Sequence, residues 1–180
     1  MDQRKMDQMK MDQMEPDRTE PTGNRTGNKG RFLALSRICL NNWHYISKRI
    51  LSFNEDINFF TGHSGSGKST VIDAMQVLLY ANTDGRGFFN KAAADDSDRS
   101  LIEYLRGMVN IGENNEFSYL RNQNFSSTIV LELKRSDTGA CQCVGIVFDV
   151  ETSANDISRR FFWHKGPMWD NAYRTGRRTM

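Results

Sequence analysis

From Arg31 onward the chain alternates between short apolar runs and polar breaks, and the period of the runs changes along it. Phe32 to Leu40 is apolar with scattered polar residues and reads as a strand. Arg49 to Phe53 reads as a second, and Ile57-Asn58-Phe59-Phe60-Thr61 as a third that closes on Gly62. Val71, Met75, Leu78 and Leu79 then lie on one face at helical spacing. Ile72 and Ala74 widen that face, so a mostly buried helix is expected from Gly67 to about Tyr80. Thr83 to Asp96, rich in Gly, Asn and Asp, reads as a loop. Ser97 is placed to cap a short helix through Arg106 that stops at Gly107. Ser127 to Lys134 alternates, Ile129, Leu131 and Leu133 against Thr128, Glu132 and Lys134, and the turn residues Ser136 to Gly139 lead into Cys141 to Val150 as a hairpin. Arg159 to His164 reads as one further strand. Strands around one buried helix, with an antiparallel hairpin added, indicate an α/β layer that is only partly built.

Residues 1–30 contrast with all of this. Their only apolar side chains are five methionines, and Met-Asp-Gln recurs at Met1, Met6 and Met11. A five-residue period matches neither helix nor strand, so no continuous apolar face forms and a disordered extension is expected. The organisation is therefore an extension, 1–30, followed by one domain, 31–180. The 180 residues carry 24 Lys and Arg against 22 Asp and Glu, which excludes a globally basic protein steered onto nucleic acid by its total charge. The total conceals an uneven spread: residues 158–180 hold 6 basic groups and 1 acidic one. Cys39, Cys141 and Cys143 are an odd number, which points away from a secreted disulfide framework and toward a reduced, cytoplasmic setting. Cys141 and Cys143 lack a second Cys or His pair at zinc spacing and read as two strand residues on one face. No apolar run is long enough to cross a bilayer, so no membrane partner is expected.

The chemistry is concentrated in Gly62-His63-Ser64-Gly65-Ser66-Gly67-Lys68-Ser69, followed by Thr70, which fits G-x-x-x-x-G-K-[ST]. Glycines at 62, 65 and 67 let the backbone turn successive N–H groups toward phosphate oxygens, and a helix opening from the loop adds its dipole to the attraction. Lys68 can then reach the β and γ phosphates of ATP, and the Ser69 hydroxyl can hold Mg²⁺. His63 reads as a solvent-facing loop residue, not a base. Complete phosphate-loop enzymes also need an acidic residue beside Mg²⁺, usually at the end of an apolar strand. Ile146-Val147-Phe148-Asp149, with Glu151 beyond, imitates that pattern, but the same residues serve equally as the return strand of the hairpin. No Ser-Gly-Gly signature of an ABC-type site occurs.

Arg31 to Gly107 resembles the N-terminal head segment of the SMC-like ATPases of the SbcC and MukB type. The carrying residues are Ile57 to Gly62, Ser64 to Thr70 and Val71-Ile72-Asp73-Ala74. Three later strings look more particularly like the JetC family of Wadjet anti-plasmid systems: Gly87-Phe88-Phe89-Asn90-Lys91-Ala92-Ala93, Ser97-Asp98-Arg99-Ser100-Leu101 and Tyr104-Leu105-Arg106-Gly107. Arg159 to Gly166 extends the likeness. The resemblance implies a partial P-loop NTPase, the N-terminal lobe of an ABC-type head, with ATP and Mg²⁺ as cofactors and Lys68 and Ser69 in the nucleotide and Mg²⁺ roles. It further implies a C-terminal head lobe bearing the signature and the Walker B acid, a homodimer partner, accessory kleisin-type subunits, and DNA contacted through the full-length complex. No heptad repeat follows, so a fragment or truncated product is expected, inactive in hydrolysis by itself. Two other functions stay open: a small self-contained kinase or NTPase using Asp149 or Glu151 as its Walker B acid, and a nonenzymatic nucleotide-binding remnant.

Overall fold

The computed structural model describes residues 31–80, 101–110, 117–169 and 173. In chain order they form β1 (Leu33–Trp43), β2 (Ile46–Ser52), α1 (Lys68–Leu79), α2 (Leu101–Arg106), β3 (Met108–Asn110), β4 (Phe117–Tyr119), β5 (Phe125–Arg135), β6 (Cys141–Glu151) and β7 (Asp156–Lys165). The N-terminal repeat, the loop expected from Thr83 to Asp96 and the cap assigned to Ser97 lie outside the described residues. No helix among the described residues is long and apolar enough to cross a membrane.

One sheet runs in the order β2-β1-β5-β6-β7, and β3 pairs with β4 as a separate ribbon. Every pairing in the large sheet is antiparallel. The α/β expectation is therefore met only in part: helices lie on the sheet, but no described strand pair is parallel. The hairpin of β5 and β6 is not an addition to the sheet either. It joins through β5 to β1, Ile129 opposite Leu40 and Leu131 opposite Ile38, with one register shift between Leu35 and Arg37.

The third expected strand, Ile57 to Thr61, does not form. The segment is coil, and the main-chain groups of Ile57, Phe59, Phe60 and Thr61 make no hydrogen bond among the described residues. Of its apolar residues Phe60 turns inward, where its ring meets Phe53 at 6.0 Å. Ile57 and Phe59 are 66% and 69% exposed. An apolar sequence sets strand potential, but a strand exists only where a neighbour takes up its hydrogen bonds, and none stands beside it among the described residues.

The two faces of the sheet are covered differently. On one, Ile38 and Leu40 of β1, Ile129 and Leu131 of β5 and Ile146 and Phe148 of β6 pack against Val71, Ala74 and Val77 of α1 and against Leu101, Tyr104 and Leu105 of α2. Cys39, Val130 and Cys143 face the other way and are closed over by Met168, with Phe162 and Tyr173 packed alongside. The apolar and polar positions alternate along β5 as expected, yet Thr128, Val130 and Glu132 are as enclosed as Ile129 and Leu131. The reason is chain that folds back after β7. The Met168 amide donates to Glu132 Oε2 at 2.5 Å, and the Met168 carbonyl accepts from Arg37 Nη2 at 3.0 Å.

Arg37 closes this arrangement with a two-pronged bond to Glu132, at 3.1 and 2.7 Å. Burial opposes the Glu132 charge, but the bonds from Arg37 and from the Met168 amide outweigh it, and the carboxyl is held below its ordinary value of 4.5. A depressed folded-state value means that the stabilisation is complete above pH 4.5 and is lost as the pH falls through the folded value. Urea unfolding is therefore expected to show less stability at acid pH than at neutral pH. In Glu132→Gln the same acid loss should shrink, while stability at neutral pH falls by about 2 kcal/mol. An unchanged acid dependence in the variant would show that another carboxylate is responsible.

Candidate functional site: the phosphate loop

Between the end of β2 and the start of α1 the chain makes the turn that the glycines predicted. Gly62, Gly65 and Gly67 have φ of 141°, 78° and 94°, values that side chains with a Cβ rarely adopt. At Gly62 an added Cβ would also stand 2.7 Å from Ser66 Oγ. Gly67 is the residue before α1 and offers no side-chain cap. Val71 N–H bonds back to the Gly67 carbonyl at 3.1 Å. The N–H groups of Lys68, Ser69 and Thr70 are left at the open end of the helix without intrahelical partners. No acidic residue stands in that first turn, so nothing repels an anion there.

Lys68 does not extend into solvent. Its Nζ donates to the Gly62 carbonyl at 2.7 Å, the His63 carbonyl at 2.8 Å and Ser66 Oγ at 3.1 Å, which places the ammonium at the centre of the loop. His63, Ser64 and Gly65 are exposed at the rim, as expected for His63, whereas Ser66 and Gly67 are buried and Ser69 is half-buried. Thr70 is directed elsewhere. Its hydroxyl donates to the Tyr45 hydroxyl at 3.3 Å, so toward a phosphate it presents only its main-chain N–H. Left-handed glycines, orphan helix N–H groups and a centred ammonium fit the triphosphate of a nucleotide. The Ser69 hydroxyl, in the first turn of the helix, is the residue present that would hold Mg²⁺.

The support beneath the loop was not read from the sequence. Trp43, fully buried, donates from Nε1 to the Thr70 carbonyl at 2.9 Å. It sits between Asn42 and His44, both with φ near 50°. Those strained residues are held in place: Asn42 Nδ2 bonds to the Ser126 carbonyl at 2.9 Å, and the His44 ring stacks on Tyr104 at 4.4 Å. One turn further along α1, the Tyr104 hydroxyl donates to Asp73 Oδ2 at 2.9 Å. Burial and the neighbouring Asp73 charge push the Tyr104 hydroxyl well above its usual value, so it remains a donor. The β1–β2 turn and α2 thus grip the first two turns of the phosphate helix. The only sequence signal was the run Asn41-Asn42-Trp43-His44-Tyr45, aromatic and polar between two strands.

Residues 35–96 match the P-loop containing region of the AAA domain family. That stretch spans β1, β2, the glycine loop and α1, and it supports a P-loop ATPase-like, nucleotide-binding region in about a third of the chain. No curated protein matches the sequence.

The other sequence candidates fall away from this site. Asp149 and Glu151 alternate along β6 with Phe148 and Val150, which pack in the cluster under α1, so the two carboxylates point to the opposite face of the sheet. Asp149 accepts from Ser126 Oγ at 2.5 Å and from Arg160 Nη2 at 2.6 Å, on neighbouring strands. It marks a cross-strand ion pair. Cys141 and Cys143 share a face of β6, the second of them buried, and among the described residues no group of three or more His, Cys, Asp or Glu could hold a metal ion. A shallow cleft lined by Leu35, Phe53, Glu55 and Lys134 lies at the other end of β1 from Trp43, and no residue of the phosphate loop lines it.

Proposed function

We propose that the chain is the nucleotide-binding N-terminal lobe of a divided, SMC-like ATPase that acts on DNA, binding Mg²⁺-ATP at residues 62–70 and hydrolysing it only with a C-terminal lobe and a second head. The observation that carries this reading is the unpaired segment before the loop. Ile57 to Thr61 leads directly into Gly62, is apolar apart from Asn58 and Thr61, pairs with no strand among the described residues, and leaves Ile57 and Phe59 exposed. Ile72 and Leu79 of α1 and Tyr80 just beyond it are 41%, 62% and 69% exposed as well. An unpaired apolar segment before the loop and an exposed flank on its helix suit a fold whose remaining strands come from another segment. The likeness of Arg31 to Gly107 to SMC-like heads supplies the identity of that segment. Kleisin-type subunits and a cytoplasmic setting belong to the same reading, and so does plasmid defence, repair or chromosome organisation as its purpose.

The self-contained kinase loses its acidic partner to the far face of the sheet. Hydrolysis requires Mg²⁺, water and γ-phosphate to be placed together, and the loop brings no carboxylate to that task. Phosphate release is expected to be negligible from residues 31–180 alone and to appear when the C-terminal lobe of an SMC-like head is supplied. Asp149→Asn should leave nucleotide affinity unchanged. Steady turnover by the lobe alone, abolished by Asp149→Asn, would restore the small enzyme. Binding without turnover in both arms would favour the nonenzymatic remnant.

A further inference from the structure

We propose that the helix-side face of β7, beyond the cover of the helices, is a stacking platform for single-stranded nucleic acid, formed by Phe161 and Trp163 between Arg159 and Lys165. The site is separate from the phosphate loop and goes beyond the reading given above.

The face is set by an unbroken register. β7 pairs with β6 from Gln142 opposite Lys165 to Glu151 opposite Asp156, so Arg159, Phe161, Trp163 and Lys165 share one side and Arg160, Phe162 and His164 the other. Gly145 locks that alternation. A Cβ there would stand 2.3 Å from Phe162 Cζ, so the tip of the Phe162 ring occupies the space above the glycine and β7 cannot slip by one residue without losing this fit. Phe161 and Trp163 are consequently committed to the other side. Ile157, at the start of the strand, still packs on the core under α1. Beyond it the helices give no cover, and Phe161 and Trp163 are 54% and 55% exposed.

Two aromatic rings at alternate positions of one strand stand about 7 Å apart, too far to stack on each other and open to one base each. Cations flank them on both sides, suited to the phosphates that join successive bases. The surrounding sequence has the same sign, 6 basic groups against 1 acidic in residues 158–180. The cations also argue against a protein occupant. Arg159, Arg160 and Lys165 along an edge strand discourage strand addition, and two rings bounded by charge offer too short an apolar stripe for a helix. A duplex hides its base faces, so stacking selects unpaired strands, DNA or RNA.

The test is fluorescence anisotropy of the whole chain with labelled oligo(dT), oligo(U) and a duplex of equal length. One or both single strands are expected to bind more tightly than the duplex. Trp163→Leu should weaken binding about tenfold or more, and Trp163→Phe should restore most of it, because a ring is required where mere apolarity is not. Arg159→Gln with Lys165→Gln should flatten the salt dependence. These exposed substitutions should leave nucleotide binding at the phosphate loop unchanged, which separates a failure here from a failure there. Absence of single-strand binding, equal binding of duplex, or indifference to Trp163→Leu would overturn the proposal.

Discussion

Lys68→Ala is expected to abolish measurable binding of Mg²⁺-nucleotide, with a loss of at least about a hundredfold in affinity. The loop holds no second lysine or arginine between Gly62 and Thr70, so one ammonium carries the positive charge facing the phosphates. Charge-assisted bonds to two phosphate groups are together worth about 3 kcal/mol, which is about a hundredfold. The same ammonium ties the Gly62 and His63 carbonyls to Ser66, so its removal also loosens the cradle. Lys68→Arg is expected to fail nearly as badly, because a planar guanidinium does not fit where a compact point donor meets three oxygens. Calorimetry with a magnesium nucleotide checks both variants. Equal affinity in wild type and Lys68→Ala would remove the loop from the nucleotide.

The second large effect concerns stability. Arg121→Ala is expected to cost about 4 kcal/mol of folding free energy. The guanidinium is buried deeply enough to bring its pKa down to about 10, and among the described residues it donates to main-chain carbonyls. Nη1 donates to the carbonyls of His44 and Leu105, the latter at 2.9 Å, and Nη2 to that of Ile46 at 3.3 Å. The fork also lies 5.4 Å over the Phe125 ring. Alanine leaves those carbonyls unsatisfied at the end of α2 and around the β1–β2 turn. Lysine, with one nitrogen, should recover only part of the loss. Urea denaturation followed by circular dichroism measures both variants, and a cost below about 1 kcal/mol for alanine would show that water replaces the fork without penalty.

What could be read in advance was whatever depended on local pattern. The glycine spacing and Gly-Lys-Ser register located the phosphate loop, and the spacing of Val71, Met75 and Leu78 located α1, because both are governed by neighbours in sequence. β5 and β6 were found for the same reason, with a turn signal between two alternating runs. The misplaced strand at Ile57 to Thr61 has the right composition and lacks only a neighbour, which no local pattern records. The burial of Glu132 depends on Met168, 36 residues away in the chain. Trp43 escaped for a related reason. Its turn carries no glycine, and its role becomes visible only when Asn42 and His44 bring the indole beneath Thr70.

That indole has a practical use. The chain holds three tryptophans, of which Trp163 and Trp169 are 55% and 52% exposed, whereas Trp43 is fully enclosed. Emission from Trp43 is therefore shielded from a soluble quencher such as acrylamide, and the other two are not. Because Trp43 is bonded to the first turn of the phosphate helix, any rearrangement of that turn alters its surroundings directly. The unmodified protein thus contains its own optical gauge of the loop, read as the blue-shifted emission that survives quenching.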